Sequence, residues 1–290
     1  GFAQMDRIID LHLHTTASDG SLSPRELVRY AWSEKLAAIA VTDHDTVDGV
    51  EEAIDEGIKL GLEVIPGIEI STDFERELHI LANALSDMRR ARKERNPKII
   101  SRLRNMGLNV TMEEVEQEAK GGLVSRFHIA AVLVKKGYVA NIDEAFSGYI
   151  GAGAPAFYKK DKISPEEGVE LIRKSGGIAA LAHPGFLGLD RIETDLLVKK
   201  LKKYGLAGIE AYYPQHTPEQ AEMYFEIANS NNIVALGGSD FHGPMRPGNR
   251  IGRWYNNTPF RHEILAELKK AYHYLASSST SISSSNEVLL

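Results

Sequence analysis

Short apolar runs bounded by Gly, Pro or Asp alternate along the chain with longer stretches of helical periodicity. The runs predict strands at Arg7–Leu13, Ala37–Thr42, Glu63–Ile70, Leu78–Ala82, Gly177–Ala182, Gly208–Tyr212 and Ile233–Gly237. Near-continuous hydrophobicity suits parallel strands covered on both faces, and the interleaved helices argue a parallel α/β architecture. Three helix starts share one signature: Ser23-Pro24-Arg25-Glu26, Ser164-Pro165-Glu166-Glu167 and Thr217-Pro218-Glu219-Gln220. In each, a hydroxyl caps orphan amides, Pro fits the first helical position, and the Glu or Gln three residues on closes a capping box. Leu27, Val28 and Ala31 follow the first cap at helical spacing and read as core.

Between Ser86 and about Pro155 the rhythm changes to helical composition without a clear strand. This predicts a small helical domain, residues 86–155, inserted after the fourth strand into a unit made of 1–85 and 156–258. Its basic run, Arg89 to Arg95, reads as a solvated helix face. Residues 259–290 hold a helix from about Arg261 to Leu275, and then a Ser-rich tract from Ala276 that is expected to be disordered.

Composition narrows the class. The 290 residues are 43% hydrophobic and 26% charged, ordinary globular values that allow a sizeable core. A net charge of −6 disfavours holding long duplex nucleic acid by broad electrostatics, so any nucleic-acid substrate is short or gripped locally. With no cysteine, disulfides and thiolate metal sites are excluded. No apolar run is long enough for a membrane span, and Gly1-Phe2-Ala3-Gln4 lacks signal-peptide character, so a cytoplasmic enzyme is expected.

The candidate chemistry sits at strand ends. Asp10-Leu11-His12-Leu13-His14 puts His12 and His14 on one face of a strand, as a metal clamp. Asp19 and His44 follow on the next loops. Glu69, His79, His183, Asp240 and His242 each stand at or just past the end of an apolar run, where α/β enzymes place their chemistry. Asp10 and Asp43 are candidates to fix a histidine tautomer from behind, with capping or turn formation as the alternative. Imidazoles and carboxylates suit manganese, iron or zinc. His216 fits no ligand pattern.

With those residues in place, the chain resembles the polymerase and histidinol phosphatase (PHP) family of metal-dependent phosphoesterases. It is most similar to the branch of nucleoside 3',5'-bisphosphate phosphatases and 5'-to-3' exoribonucleases. The resemblance runs from about Arg7 to Trp254, and His12, His14, Asp19, His44, Glu69, His79, His183, Asp240 and His242 occupy all its ligand positions. It implies a distorted seven-stranded (β/α) TIM-like barrel and three divalent ions (Mn, Fe or Zn). One ion would be held by His12, His14, Glu69 and Asp240, one by Glu69, His79 and His183, and one by Asp19, His44 and His242. Asp19, His44, His242 and Asp240 would then be catalytic. Ser125, Arg126, His128 and Lys159 would line the substrate cleft, although Phe127 stands where many relatives have Pro. The expected reaction is phosphomonoester hydrolysis, on a nucleoside 3',5'-bisphosphate or the 5' end of a short RNA. Rival readings are a histidinol-phosphatase-like enzyme and a non-catalytic metal- or nucleotide-binding module.

Overall fold

The computed structural model describes residues 7–72, 78–79, 85–119, 124–151, 153–158, 163–244 and 249–283, with the side chains of 78–79, 85–94, 276 and 278–283 excepted. Two parallel three-stranded sheets form its centre. The first has the order β1 (Ile8–Leu13), β2 (Leu36–Val41), β3 (Glu63–Pro66). The second is β6 (Ala179–Leu181), β7 (Leu206–Tyr212), β8 (Val234–Gly237). They meet where Leu13 at the end of β1 bridges Phe241 just past β8 in parallel sense, and the His14 N–H donates to the Phe241 carbonyl at 3.1 Å. All these strands therefore point their C-terminal ends the same way.

Helices cover the sheets because their apolar stripes need burial. α1 (Pro24–Ser33) is started by Ser23 and Glu26, which close the capping box that their sequence predicts. Its Leu27, Val28 and Ala31 are fully buried with Ile39, Val41 and Ala53, the last from α2 (Val50–Leu60). Each Leu, Val or Ile side chain so buried contributes about 1.5–3 kcal/mol. The predicted boxes also close at Ser164 before α7 (Pro165–Lys174) and at Thr217 before α9 (Pro218–Ser230). With α8 (Arg191–Lys202), these helices pack Val169, Val198, Leu201 and Tyr224 against Ile209 and Leu181 of the second sheet.

A separate core gathers Ile99, Leu103, Val115, Ile129, Leu133 and Ile150. They come from α3 (Leu85–Asn105), α4 (Met112–Glu118), α5 (Arg126–Lys135) and the π turn Phe146–Ile150 that continues α6 (Ile142–Ala145). Arg95 departs from the solvated reading of its basic run. It is buried and directs its guanidinium onto the Asn96 side chain at 2.7 and 3.1 Å.

Two further expectations change. The strand expected over Glu63–Ile70 stops at Pro66, which has no N–H for a ladder. Gly67 then passes so close to β2 that a Cβ there would lie 2.8 Å from the Thr42 methyl. The chain resumes as β4 (Ser71–Thr72), paired antiparallel with β5 (Leu78–His79), so the sheets are not parallel throughout. The Ser-rich tract, expected to be disordered, continues α10 (His262–Ser283) as far as Ser283. Extending a nucleated helix adds one hydrogen bond per residue fixed, which carries the helix into residues that would not start one.

Candidate metal centre

The C-terminal ends of the strands bring the histidines and carboxylates together. His12 and His14 leave the same face of β1, their rings 5.1 Å apart. Asp19 lies on the loop after β1, His44 after β2, Glu69 after β3, His183 after β6, and Asp240 and His242 after β8. His183 and Asp240 are held at positive φ, +27° and +52°, a conformation that costs a residue with a side chain and is kept where the surroundings enforce it.

Two groups of donors emerge among the described residues: His12, His14, Glu69 and Asp240, and His14, Asp19, His44 and His242, each with ligand atoms all within 4.8 Å of one another. In the first, Glu69 Oε2 is 3.2 Å from both His12 Nε2 and His14 Nε2, and Asp240 Oδ1 is 3.1 Å from His14 Nε2 and 3.6 Å from His12 Nε2. In the second, Asp19 lies 3.2 Å from His242 Nε2 and 3.8 Å from His44 Nε2. His44 Nδ1 and His183 Nε2 approach Glu69 at 3.1 and 2.8 Å. Glu69 is thus the hub. Of the sequence-predicted ligands, only the side chain of His79 lies outside the described residues, with its backbone in β5 beside Ser71.

The electrostatics follow from crowding charge into a buried site. Burial opposes the imidazolium of His14, yet Asp240 and Glu69 push it up to about 10. Burial likewise opposes the charge on His12, but Glu210 and Glu69 hold it well above the ordinary range. Against burial, His44 and His242 hold Asp19 well below the usual carboxylate range, and His242, His14 and His12 do the same for Asp240.

The groups behind the ligands differ in part from those the sequence suggested. Among the described residues, neither Asp10 nor Asp43 bonds to an imidazole. Asp10 accepts backbone N–H groups from His12, Ser239 and Gly252, tying β1 to the loops after β8, and burial pushes it up to about 6. Asp43 accepts from the Thr15 amide and from the Thr15 and Ser18 hydroxyls, so it shapes the loop that carries Asp19. The tautomer of His12 is fixed by Glu210, whose Oε1 is 3.1 Å from Nδ1 while its Oε2 accepts the His183 N–H at 2.7 Å. Tyr213 donates its hydroxyl to Asp240 Oδ2 at 2.9 Å. Sequence reasoning missed both. The signal for Glu210 is a lone acid inside the apolar strand Leu206–Tyr212. His242 sets its own tautomer: Nδ1 faces the Asp240 carbonyl at 2.8 Å, which can only accept, so Nε2 keeps its lone pair.

The expected substrate-cleft residues form a different group. Ser125 is the N-cap of α5, and His128 closes a box by accepting the Ser125 N–H on Nδ1 at 3.0 Å. Arg126 lies half-buried over the rings of Phe146 and Phe157 and donates to the Ile150 carbonyl at 3.3 Å. Lys159 lies outside the described residues.

Comparison with known proteins gives a consistent picture. The family model of the PHP domain matches residues 10–287. The chain is 34% identical over 252 residues to a 5'-3' exoribonuclease of Haemophilus influenzae, covering 83% of this chain and 92% of that protein. It is 30% identical over 274 residues to a 3',5'-nucleoside bisphosphate phosphatase of Chromobacterium violaceum, covering 90% and 96%. A solved structure named as a metal-dependent phosphoesterase, from Bifidobacterium adolescentis, superposes with a TM-score of 0.81 at 28% identity over 92% of this chain and 96% of that one.

Proposed function

The chain belongs to the PHP family of metal-dependent phosphoesterases, and we propose that it removes the 3'-phosphate of nucleoside 3',5'-bisphosphates or works from the 5' end of short RNA. One observation carries the metal requirement. Among the described residues, His12 Nε2 and His14 Nε2 are buried with no hydrogen-bond partner, a costly state unless a cation takes the lone pair of each. Two ligands ~2.1 Å from a tetrahedral ion stand ~3.4 Å apart, and the pairs of the first group lie at 3.1–3.6 Å. The residues fit divalent ions held by nitrogen and oxygen.

A neutral imidazole has one lone pair, so His14 serves a single ion. Its Nε2 is nearest Asp240 and Glu69, which supports grouping His14 with His12, so that Asp19, His44 and His242 would hold a second ion. Glu69 Oε1, turned to His183, would serve a third together with His79. Bound divalent ions would supply Lewis acidity at the phosphoryl oxygens and acidify a water near neutral pH. The chain's own work is orientation. Glu210 and the Asp240 carbonyl hold imidazoles in the tautomer that presents Nε2, and Tyr213 takes one oxygen of Asp240 so that the other faces the cluster. Asp19, His44, Asp240 and His242 are the catalytic set in this reading.

Ser125, Arg126, His128 and Lys159 would receive the phosphate that is not hydrolysed. Support comes from the start of α5, where the helix dipole favours an anion and the Arg126 guanidinium can bind it bidentately. We propose as well that the two sheets, joined at β1 and β8, make up most of a distorted seven-stranded barrel, into which residues 86–155 are inserted. Adenosine 3',5'-bisphosphate, a 5'-phosphorylated oligoribonucleotide and histidinol phosphate, compared as substrates of manganese-loaded protein, test the reading. The nucleotide substrates should lead in kcat/KM; preference for histidinol phosphate would overturn it.

A further inference from the structure

Phe186 is 60% exposed, yet it stands against the metal centre. Its ring centroid is 5.2 Å from that of His183, whose Nε2 is 2.8 Å from Glu69, and it meets Tyr213 edge to face at 5.6 Å and 81°. One imidazole therefore separates a solvent-facing aromatic ring from the ligand hub. A phosphate at the hub would leave the rest of a nucleotide within reach of that ring.

The turn that carries Phe186, Pro184–Leu187, is held from beneath. His216, buried and outside every ligand pattern, faces the Ala211 carbonyl with Nδ1 at 2.9 Å, so Nδ1 carries the proton. Its Nε2 accepts the Gly185 N–H at 3.2 Å. Gly185 has no room for a side chain, since a Cβ would lie 2.7 Å from the His216 ring. Burial lowers the pKa of His216, which keeps it in the neutral form that this double contact needs. His183 at φ +27° opens the turn directly from the cluster. An exposed apolar ring fixed this firmly, beside a site for a charged substrate, has solvation to lose and a stacking partner to gain.

We propose that Phe186 is a stacking platform for the base of the substrate nucleotide, held in place through Gly185 and His216. Base-on-aromatic stacking is tolerant of sequence because every base has a π face, so Phe186 would select for a base without selecting which one. The proposal rests on the nucleotide reading above.

The test compares adenosine 3',5'-bisphosphate with its baseless analogue, the anhydroribitol 3,5-bisphosphate, on metal-loaded protein. In Phe186→Ala the ratio of kcat/KM for the nucleotide over the baseless compound should fall roughly 5- to 150-fold, and Phe186→Trp should restore it. An unchanged ratio in Phe186→Ala, including an equal loss on both compounds, overturns the proposal. The indole of Phe186→Trp gives a second readout that needs no turnover. Its emission should be quenched saturably by adenosine 5'-phosphate and not by ribose 5-phosphate, and absence of that difference also overturns the proposal. Failure of the wild type to hydrolyse the nucleotide while quenching persists would instead remove the nucleotide-phosphatase reading and leave the platform standing.

Discussion

Among single residues, Glu210 gives the sharpest case of a group that acts through another. Its two oxygens join the His12 ring to the His183 backbone, so one carboxylate orients donors from both sheets. Glu210→Gln keeps the size but removes the charge, and an amide presenting N–H to Nδ1 would favour the tautomer whose Nε2 lone pair is lost. Metal affinity should fall ~10- to 100-fold with the fold retained, as losses behind a metal ligand typically do; competition against a chromogenic chelator measures it. Arg126 makes a contrasting prediction. Arg126→Ala should lower kcat/KM for a 3',5'-bisphosphate ~10- to 150-fold, the equivalent of a lost charged hydrogen bond, relative to a nucleoside 3'-phosphate. Equal loss on both would move Arg126 away from the second phosphate. The gathering of candidate ligands was legible in the sequence because alternation along a strand is a local rule, visible in His12-Leu13-His14. Glu210 was not, because its partner His12 is 198 residues away in the chain.

For the elements, the capping boxes at Ser23, Ser164 and Thr217 could be read directly, since the cap and its partner are three residues apart. Breaks in strands were harder. The end of β3 depends on how close Gly67 comes to Val41 and Thr42 of a neighbouring strand, a tertiary contact with no local signature. Gly238, just after β8, shows the same dependence at the site itself. A Cβ there would lie 2.2 Å from the Cβ of His12 and 3.0 Å from Glu210 Oε1, so β1 and β8 can approach only across a glycine. Gly238→Ala should cost ~1–3 kcal/mol by overpacking, read as a lower denaturant midpoint with unchanged slope. Because the atoms that must move belong to His12 and Glu210, metal affinity should fall with it. A variant that lost stability but bound metal as tightly as the wild type would show that β1 yields without carrying its ligand along.

In the whole molecule, the candidate ligands come from both sheets. β1 and the loops after β1, β2 and β3 supply His12, His14, Asp19, His44 and Glu69, whereas the second sheet supplies His183, Asp240 and His242. Among the described residues, the ladder between the sheets is one parallel bridge at Leu13 and Phe241 with its neighbouring hydrogen bonds. Bound ions would therefore add cross-links to the packing that already joins the sheets, in which Phe241 sits with Leu13 and Ile39, and Ile68 and Ile70 sit with Ile209. The sequence could show that strands alternate with helices, but not which edges meet, because that is decided by packing between residues far apart. Ligands that bind the folded state alone stabilise it by ~2.7 kcal/mol at a hundredfold excess over Kd. For a chain of this size that corresponds to roughly 5–10 °C in Tm. Chelation of the loaded protein should lower Tm by that amount, and readdition of manganese should restore it. His14→Ala, which removes a donor of the first group, should shrink that chelator-dependent shift without abolishing it, since Asp19, His44 and His242 remain. A wild type whose Tm ignored chelation would mean that the buried imidazoles are satisfied without ions, and the cross-linking role would fall.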